Sequence, residues 1–310
     1  MNSKSSIILY IGAGILFFFF WLYIVFPYDA LQSRVITEIE NQTGGRYKID
    51  MKDMEISLLF GNVTFEDLKV SEMIGGKKQL LLKTPVLEIG FSPLGLLSQK
   101  MDFDFYLEGN KKGEIEGDFR QEGATTELNM EFDEFPLSEL KFLAAKAKVG
   151  LKGSVEGEVQ LKMNPKNPSQ NNGIVDLQLI NLKMDPTSIA LDPSDPASAM
   201  TIPAIKFTGP KGSHIKAKVL KDNLDIQSVK FMGGDLDLDL KGKVTLKGRT
   251  PQDYRLNIKG GFKMTEALTK ALPFLFILEK QRDDKGVYPL TITGRMGKPN
   301  IQIGKFRVPL

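Results

Sequence analysis

The sequence predicts a mainly β protein, in which an N-terminal transmembrane helix precedes a large, curved antiparallel β-sheet, a groove or open barrel, with a few short helices. Three observations predict this fold. Residues 7–26 form an uncharged stretch long enough to cross a bilayer. Much of the remaining chain alternates apolar and polar residues with a period of two. Pairs of turn-forming residues separate the alternating runs at the spacing of consecutive hairpins.

The transmembrane stretch reads IILYIGAGILFFFFWLYIVF, and as a helix it would be roughly 30 Å long. A cleaved signal peptide is the rival interpretation, but its apolar region is usually about 7–15 residues long and ends in small residues. Here aromatic residues suited to the headgroup layer close the stretch, so we expect an uncleaved anchor. The residues that represent this anchor are Ile7, Leu16, Phe18, Trp21, Tyr23 and Phe26.

The charges on either side of the anchor predict its orientation. Lys4 and the terminal amine precede it, whereas Asp29 and Arg34 cancel each other behind it. Residues 1–6 are therefore expected in the cytoplasm as a short tail. The β-rich domain, residues 27–310, is expected in the periplasm of a bacterial cell, held to the inner membrane by a single pass.

Composition and charge exclude several classes of function. With 41 Lys and Arg against 38 Asp and Glu, the net charge of +3 is small and spread along the chain, so no nucleic-acid surface is indicated. The chain contains no cysteine, which excludes disulfides, thiol nucleophiles and zinc–thiolate sites. His214 is the only histidine, so a histidine-rich metal site or a histidine-based triad has no second histidine. We expect no enzyme activity, no cofactor and no metal.

Alternation with a period of two predicts the strands. In residues 149–163 the apolar residues share one parity and the charged residues the other, and residues 101–107, 236–246 and 254–262 repeat this pattern. Each strand would have one apolar face and one solvated face. The glycines that interrupt the strands, and that predict bulges or tight bends, include Gly153, Gly157 and Gly242.

The apolar parity is the only feature extensive enough to hold a ligand, and two interpretations of it stay open. An open sheet would leave a long apolar groove, whereas a closed barrel or sandwich would fill the same face as its core. The candidate groove residues are Val149, Leu151, Val155, Val159, Leu161, Leu236, Leu238, Leu240, Val244, Leu246, Leu256 and Ile258.

Three helices and one long loop are expected to interrupt the strands. A helix over 29–41 would follow the anchor and end at two glycines. A helix over 136–148 would divide the β-rich domain into two halves. A third, over 265–281, would have Thr265 as its N-cap and cover one end of the β core. The stretch 185–203 is rich in Pro, Ser and Asp and predicts a surface loop.

Two acidic patterns invite a chemical interpretation. The three acids of 235–239 resemble the start of a calcium loop, but Leu246 stands at the twelfth position, where a bidentate acid is needed. Glu156 and Glu158 are paired at the spacing of a solvated strand face, and acid–base catalysis would require them to be desolvated in a cleft. Neither pattern predicts a catalytic or metal site.

The order of features resembles two related families of envelope proteins. The segment FPYDALQSRVITEIENQTGGRYKIDMKDMEISLLFGNVTFEDLKV is similar to the start of AsmA-like proteins and, more closely, to the long form of type II secretion system protein N, the GspN family. GSHIKAKVLKDNLDIQSVKFMGGDLDLDLKGKVTL and YPLTITGRMGKPNI resemble their closing part. The residues that match the opening pattern are Thr43, Gly44, Ile49, Met54, Leu58, Gly61, Phe65 and Leu68.

The resemblance implies a non-enzymatic component of a type II secretion system, anchored in the inner membrane, with other secretion-system subunits as partners. The AsmA-like relatives imply an alternative, in which a β-groove binds phospholipid or carries it between membranes. A third alternative is a periplasmic structural scaffold without a ligand. Neither family has catalytic residues that could be transferred to this chain.

Overall fold

The structure is a computed structural model, and it describes residues 28–57, 61–92, 101–142, 144, 149–192, 195–248, 250–272 and 278–308. No helix in these ranges is long and apolar enough to cross a membrane. The predicted anchor, with Ile7, Leu16, Phe18, Trp21, Tyr23 and Phe26, lies outside the described residues.

Two α-helices have defined ends, α1 (Tyr28–Gln42) and α2 (Glu266–Ala271). The helix predicted over 29–41 is confirmed, and it ends at two glycines with φ angles of +61° and +73°, which glycine adopts without a steric penalty. The predicted N-cap of α2 is also confirmed, because Thr265 Oγ1 accepts a hydrogen bond from Leu268 N at 3.3 Å. α2 covers only the first part of the helix predicted over 265–281.

Nineteen strands have bounds in the described ranges. They are β1 (Tyr47–Asp50), β2 (Asp53–Ser57), β3 (Asn62–Ile74), β4 (Lys77–Phe91), β5 (Met101–Glu108), β6 (Glu114–Glu122), β7 (Thr125–Pro136), β8 (Leu151–Met163), β9 (Asn172–Met184), β10 (Thr187–Asp192), β11 (Asp195–Ile202), β12 (Ile205–Lys206), β13 (His214–Leu220), β14 (Asn223–Phe231), β15 (Leu236–Thr245), β16 (Arg255–Met264), β17 (Tyr288–Arg295), β18 (Lys298–Ile303) and β19 (Phe306–Arg307).

Seventeen of these strands form one antiparallel sheet. From β2 to β9 each strand pairs with the next one in sequence, β9 pairs with β13, and the sequential order then continues to β19. β1 pairs with β3 beside β2, and β12 pairs with β9 beside β13. Among the described residues no pairing joins the first strands to the last, so the sheet is not closed.

The helix predicted over 136–148 is wrong over its first residues. Pro136 still belongs to β7, where it lies opposite Ser154, and Leu137 N donates to Gly153 O at 2.9 Å. Strand pairing therefore occupies the backbone groups that a helix would need, and helical structure begins only at residue 141. β7 and β8 pair directly across this segment, so the strands before and after it belong to one sheet.

The surface loop predicted over 185–203 is also wrong, because β10 and β11 form a two-stranded hairpin there, separate from the large sheet. Thr187 lies opposite Ile202, and Asp192 lies opposite Asp195. Pro, Ser and Asp, which are residue types that favour turns, are frequent in this segment. Their abundance concealed the two short strands.

The connections differ between the two ends of the strands, where the chain turns back. The end at which β3, β5, β7, β9, β14 and β16 finish is called the upper edge of the sheet, and the opposite end is called the lower edge. The upper edge has long connections at 137–150, 185–213 and 265–287, which contain helical or hairpin segments. At the lower edge, 221–222 and 296–297 are two-residue turns, whereas the connections after β8 and β15 are longer and contain 3₁₀ turns at Pro168–Gln170 and Pro251–Asp253. The helix α2 and the hairpin of β10 and β11 both lie in upper connections.

Candidate functional site

The apolar side chains of the sheet lie in continuous rows on one face. Residues directly opposite each other on antiparallel strands point to the same face, so a row can be followed from strand to strand. The central row crosses from β2 to β18 and contains only apolar residues and glycine: Ile56, Val63, Ile89, Phe105, Gly117, Met130, Val159, Val175, Ala217, Ile226, Gly242, Ile258, Ile292 and Ile301.

Two parallel rows, one on each side of the central row, continue the same pattern. The upper row consists of Met54, Phe65, Leu87, Leu107, Ile115, Phe132, Gly157, Leu177, Ile215, Val229, Leu240, Gly260, Leu290, Ile303 and Phe306. The lower row consists of Phe91, Phe103, Phe119, Leu128, Leu161, Gly173, Val219, Leu224, Val244, Leu256, Gly294 and Pro299. We call the surface formed by the three rows the apolar face.

The structure brings the predicted groove residues together on this face. Val159 and Ile258 lie in the central row, Leu240 in the upper row, and Leu161, Val244 and Leu256 in the lower row. Leu151, Val155, Leu236 and Leu238 have the same parity further along β8 and β15. Val149 and Leu246 lie just outside these two strands, at the ends of the adjoining connections.

Burial on the apolar face is uneven. Phe135 and Tyr288, near the upper edge, are completely buried at 0% exposure. Leu137, Leu140 and Phe207 from the upper connections pack against the same cluster as Phe135. In contrast, most residues of all three rows are only half-buried. The sheet is therefore covered above the upper row, and the apolar face itself is partly accessible.

A buried carboxylate holds one of the covering segments in place. Glu139, in the connection after β7, is only 7% exposed. Its Oε2 accepts hydrogen bonds from Asn110 N at 2.8 Å and Asn110 Nδ2 at 3.0 Å. Within the described chain Glu139 Oε1 has no partner. Glu139 thus joins the segment that contains Leu137 and Leu140 to the connection between β5 and β6.

The opposite, polar face carries an acidic row in its N-terminal half, which the sequence reasoning missed. A cavity of about 530 Å³ lies over part of it. Tyr106 stands in this row and donates a hydrogen bond from its hydroxyl to Glu114 Oε2 at 2.8 Å. That hydrogen bond, followed by burial, raises the pKa of Tyr106 to about 12. The row consists of Glu88, Tyr106, Glu116, Glu131, Glu158 and Asp176.

The acidic row lacks the environment that acid–base catalysis requires. Glu116 and Glu131 are exposed, so water solvates their charged forms. Among the described residues no group of three or more His, Cys, Asp and Glu is placed to hold a metal ion. His214, the only histidine of the sequence, lies half-buried at the start of β13, and its Nε2 is 3.0 Å from Ser228 Oγ.

The acids of 235–239 take part in ordinary sheet contacts. Asp235 Oδ2 accepts a hydrogen bond from Lys206 N at 2.9 Å, and Asp237 lies opposite Lys263 on the polar face. The C-terminal half of that face is rich in cations, so the polar face changes from acidic to basic along the sheet. These cations are Lys216, Lys218, Lys230, Lys241, Lys243, Arg255, Lys259, Lys263, Arg295 and Lys298.

Comparisons of this chain with protein-family models, with curated proteins and with solved structures found no match. The candidate site therefore rests on the geometry of the sheet itself. An apolar face of this extent, accessible in part and free of charged side chains in its rows, can bind hydrocarbon through the hydrophobic effect. The polar face offers solvated charges instead.

Proposed function

We propose that the β-rich domain binds lipid, with the acyl chains lying along the apolar face. The observation that carries the proposal is the uninterrupted central row, in which no polar side chain occurs from β2 to β18. At a strand spacing of about 4.8 Å, these strands span roughly 60 Å along the sheet. The hydrocarbon core of a bilayer is about 30 Å thick and holds two acyl chains end to end, so one acyl chain is about 15 Å long. The central row is therefore long enough for several acyl chains.

Partial burial supports binding over a purely structural role for this face. A sheet that needed its apolar face only for stability would gain by burying it, since exposed hydrocarbon contributes nothing to folding. Phe105, Met130, Ile258 and Ile292 nevertheless remain half-buried in the described chain. A contiguous apolar surface left partly accessible is typical of a binding site.

The resemblance to the GspN family favours a second candidate function. According to this second candidate function, the chain is an inner-membrane component of a type II secretion system, with its C-terminal domain in the periplasm and secretion-system subunits as partners. Co-purification of such subunits with the full chain tests this candidate. A periplasmic scaffold predicts neither these partners nor bound lipid.

Mass spectrometry of lipids retained after gentle detergent extraction tests the lipid proposal. The full chain is compared with Ile292→Glu, which places a carboxylate in the central row between Ile258 and Ile301, and with Thr291→Glu, which places it on the polar face of the same strand. We expect several-fold less lipid per protein in Ile292→Glu than in Thr291→Glu, with unchanged circular dichroism. Equal lipid content in all three proteins would contradict the proposal.

A further inference from the structure

Three cations stand side by side at the lower edge of the last strands. Arg255 on β16 lies directly opposite Arg295 on β17, and Arg295 lies directly opposite Lys298 on β18. All three side chains are exposed. Like charges in directly opposed positions destabilise a sheet, so this arrangement does not serve folding. We call these three residues the cationic edge.

The cationic edge carries more positive charge than the acids beside it can compensate. Arg255, Arg295 and Lys298 form no ion pair in the part of the chain that the structure describes. Of the nearby acids, Asp222 is paired with Lys247 at 2.8 Å. Asp253 accepts a hydrogen bond from Thr250 Oγ1 at 3.1 Å, and its carboxylate offsets only part of the charge of the three cations. A net positive charge therefore remains available to an external anion.

Apolar side chains protrude at the same edge. Met296, in the turn between Arg295 and Lys298, is 43% exposed, and Leu220, at the turn after β13, is 57% exposed. Protruding apolar groups beside cations are typical of surfaces that sit in the headgroup layer of a membrane, where each cation gains from anionic lipid and each apolar group from the acyl boundary.

The position of the cationic edge connects it to the apolar face. Its three members directly adjoin Leu256, Gly294 and Pro299 of the lower row along β16, β17 and β18. The two-residue turn at 296–297 is backed by the connection after β15, since Met296 N donates to Tyr254 O at 2.7 Å and Gly297 N donates to Gln252 O at 2.9 Å. A bilayer that contacted the cationic edge would therefore lie next to the lower row of the apolar face.

We propose that the cationic edge, together with Met296, docks the sheet onto an anionic membrane surface. This docking goes beyond the lipid-binding proposal, because it concerns contact with a bilayer and not the occupancy of the apolar face. Each cation near such a surface contributes about fivefold in affinity, so the three together contribute on the order of a hundredfold.

A single fluorescent label tests the docking. Because the chain has no cysteine, Met296→Cys introduces a single site for an environment-sensitive dye. The control is Ile74→Cys, which places the same dye at an exposed position of the upper edge, next to the turn after β3. The full chain is held in nanodiscs of phosphatidylcholine and mixed with vesicles of phosphatidylcholine, alone or with an equal amount of phosphatidylglycerol. A second arrangement places phosphatidylglycerol in the nanodisc itself.

We expect a blue shift of the dye at position 296 with anionic lipid in at least one arrangement, and none at position 74 or with neutral lipid. The shift should disappear in Arg255→Gln/Arg295→Gln/Lys298→Gln and persist in Lys241→Gln/Lys259→Gln/Lys263→Gln, which removes the same charge away from the edge. The proposal is overturned if the dye at position 296 shows no shift in either arrangement, or an equal shift with neutral lipid. It is also overturned if the dye at position 74 shifts equally. The same holds if the shift persists in the Arg255, Arg295 and Lys298 variant or disappears in the Lys241, Lys259 and Lys263 variant. Retained lipid without a shift would refute docking and leave lipid binding intact.

Discussion

Gly157 on β8 and Asp176 on β9 approach each other more closely than any side chain at position 157 would allow. A Cβ atom on Gly157 would lie well inside van der Waals contact with the carbonyl oxygen of Asp176, and the φ angle of Gly157 is +119°, which L-residues rarely adopt. Gly157 stands between Phe132 and Leu177 in the upper row. Its missing side chain therefore lets the backbones of β8 and β9 pass closely beneath a row of bulky residues.

Replacing this glycine should destabilise the sheet. Gly157→Ala is expected to lower the free energy of unfolding by about 1–3 kcal/mol, because the new methyl group forces the strands apart. That corresponds to a fall of about 2–4 °C in Tm for each kcal/mol. Gly90→Ala is the control, since its Cβ would lie 3.7 Å from Asp104 Cβ, an ordinary contact. Thermal denaturation followed by circular dichroism would contradict the account if both variants melted alike.

Loss of the Glu139 carboxylate should loosen the covering segment. In Glu139→Ala the backbone N–H and the side-chain amide of Asn110 lose their acceptor, which costs about 0.5–1.5 kcal/mol because Asn110 is exposed and water can replace the carboxylate. Glu139→Gln keeps one acceptor oxygen and should cost less. Hydrogen exchange of residues 137–142 should be faster in the alanine variant than in the glutamine variant. Unchanged exchange in Glu139→Ala would mean that Asn110 and Glu139 do not hold this segment.

The phenol of Tyr106 should titrate unusually late. Its hydrogen bond to Glu114 favours the neutral form in the folded state, where the pKa is about 12 against an ordinary 10.0. The stabilisation is therefore present below pH 10 and is lost as the pH rises towards 12. The ultraviolet difference titration between the wild type and Tyr106→Phe measures this pKa, and Glu114→Gln should lower it. A midpoint near 10 in the wild type would refute the interaction.

Relieving repulsion in the acidic row should stabilise the protein. Glu131 lies between Glu116 and Glu158, so Glu131→Gln is expected to gain about 0.2–1 kcal/mol at neutral pH. The gain should shrink at high ionic strength, because salt screens the repulsion between exposed charges. Glu127→Gln, which breaks the ion pair with Lys162, is the contrasting variant and should not stabilise. Equal Tm changes at low and high salt would show that charge is not the cause.

The sequence was informative where period-two alternation is strong. β8, β15 and β16 were predicted within a few residues, and the parity of their apolar residues assigned them correctly to one face. The turn signals predicted that consecutive strands pair, but the register between the strands could not be predicted, because alternation reports which face a residue occupies and not which residue lies opposite it. The acidic row was missed for this reason, since Glu88, Glu116 and Glu131 become neighbours only through pairing.

Local composition misled the prediction where two signals competed. In 136–148, Pro136 and the leucines after it suggested a helix, but the pairing of β7 with β8 extends through Pro136. In 185–203 the turn-forming residues concealed a hairpin. The cationic edge was not foreseen either, because Arg255, Arg295 and Lys298 are brought together by the registers of β16, β17 and β18.

Site-specific photo-crosslinking tests lipid binding by the apolar face most directly. A benzophenone amino acid is placed in the full chain either at Leu240, in the upper row, or at the adjacent Lys241, on the polar face of the same strand. Illumination in membranes followed by mass spectrometry should give lipid adducts at position 240 and few or none at position 241. Equal adducts at both positions, or none at position 240, would contradict the binding of lipid by the apolar face.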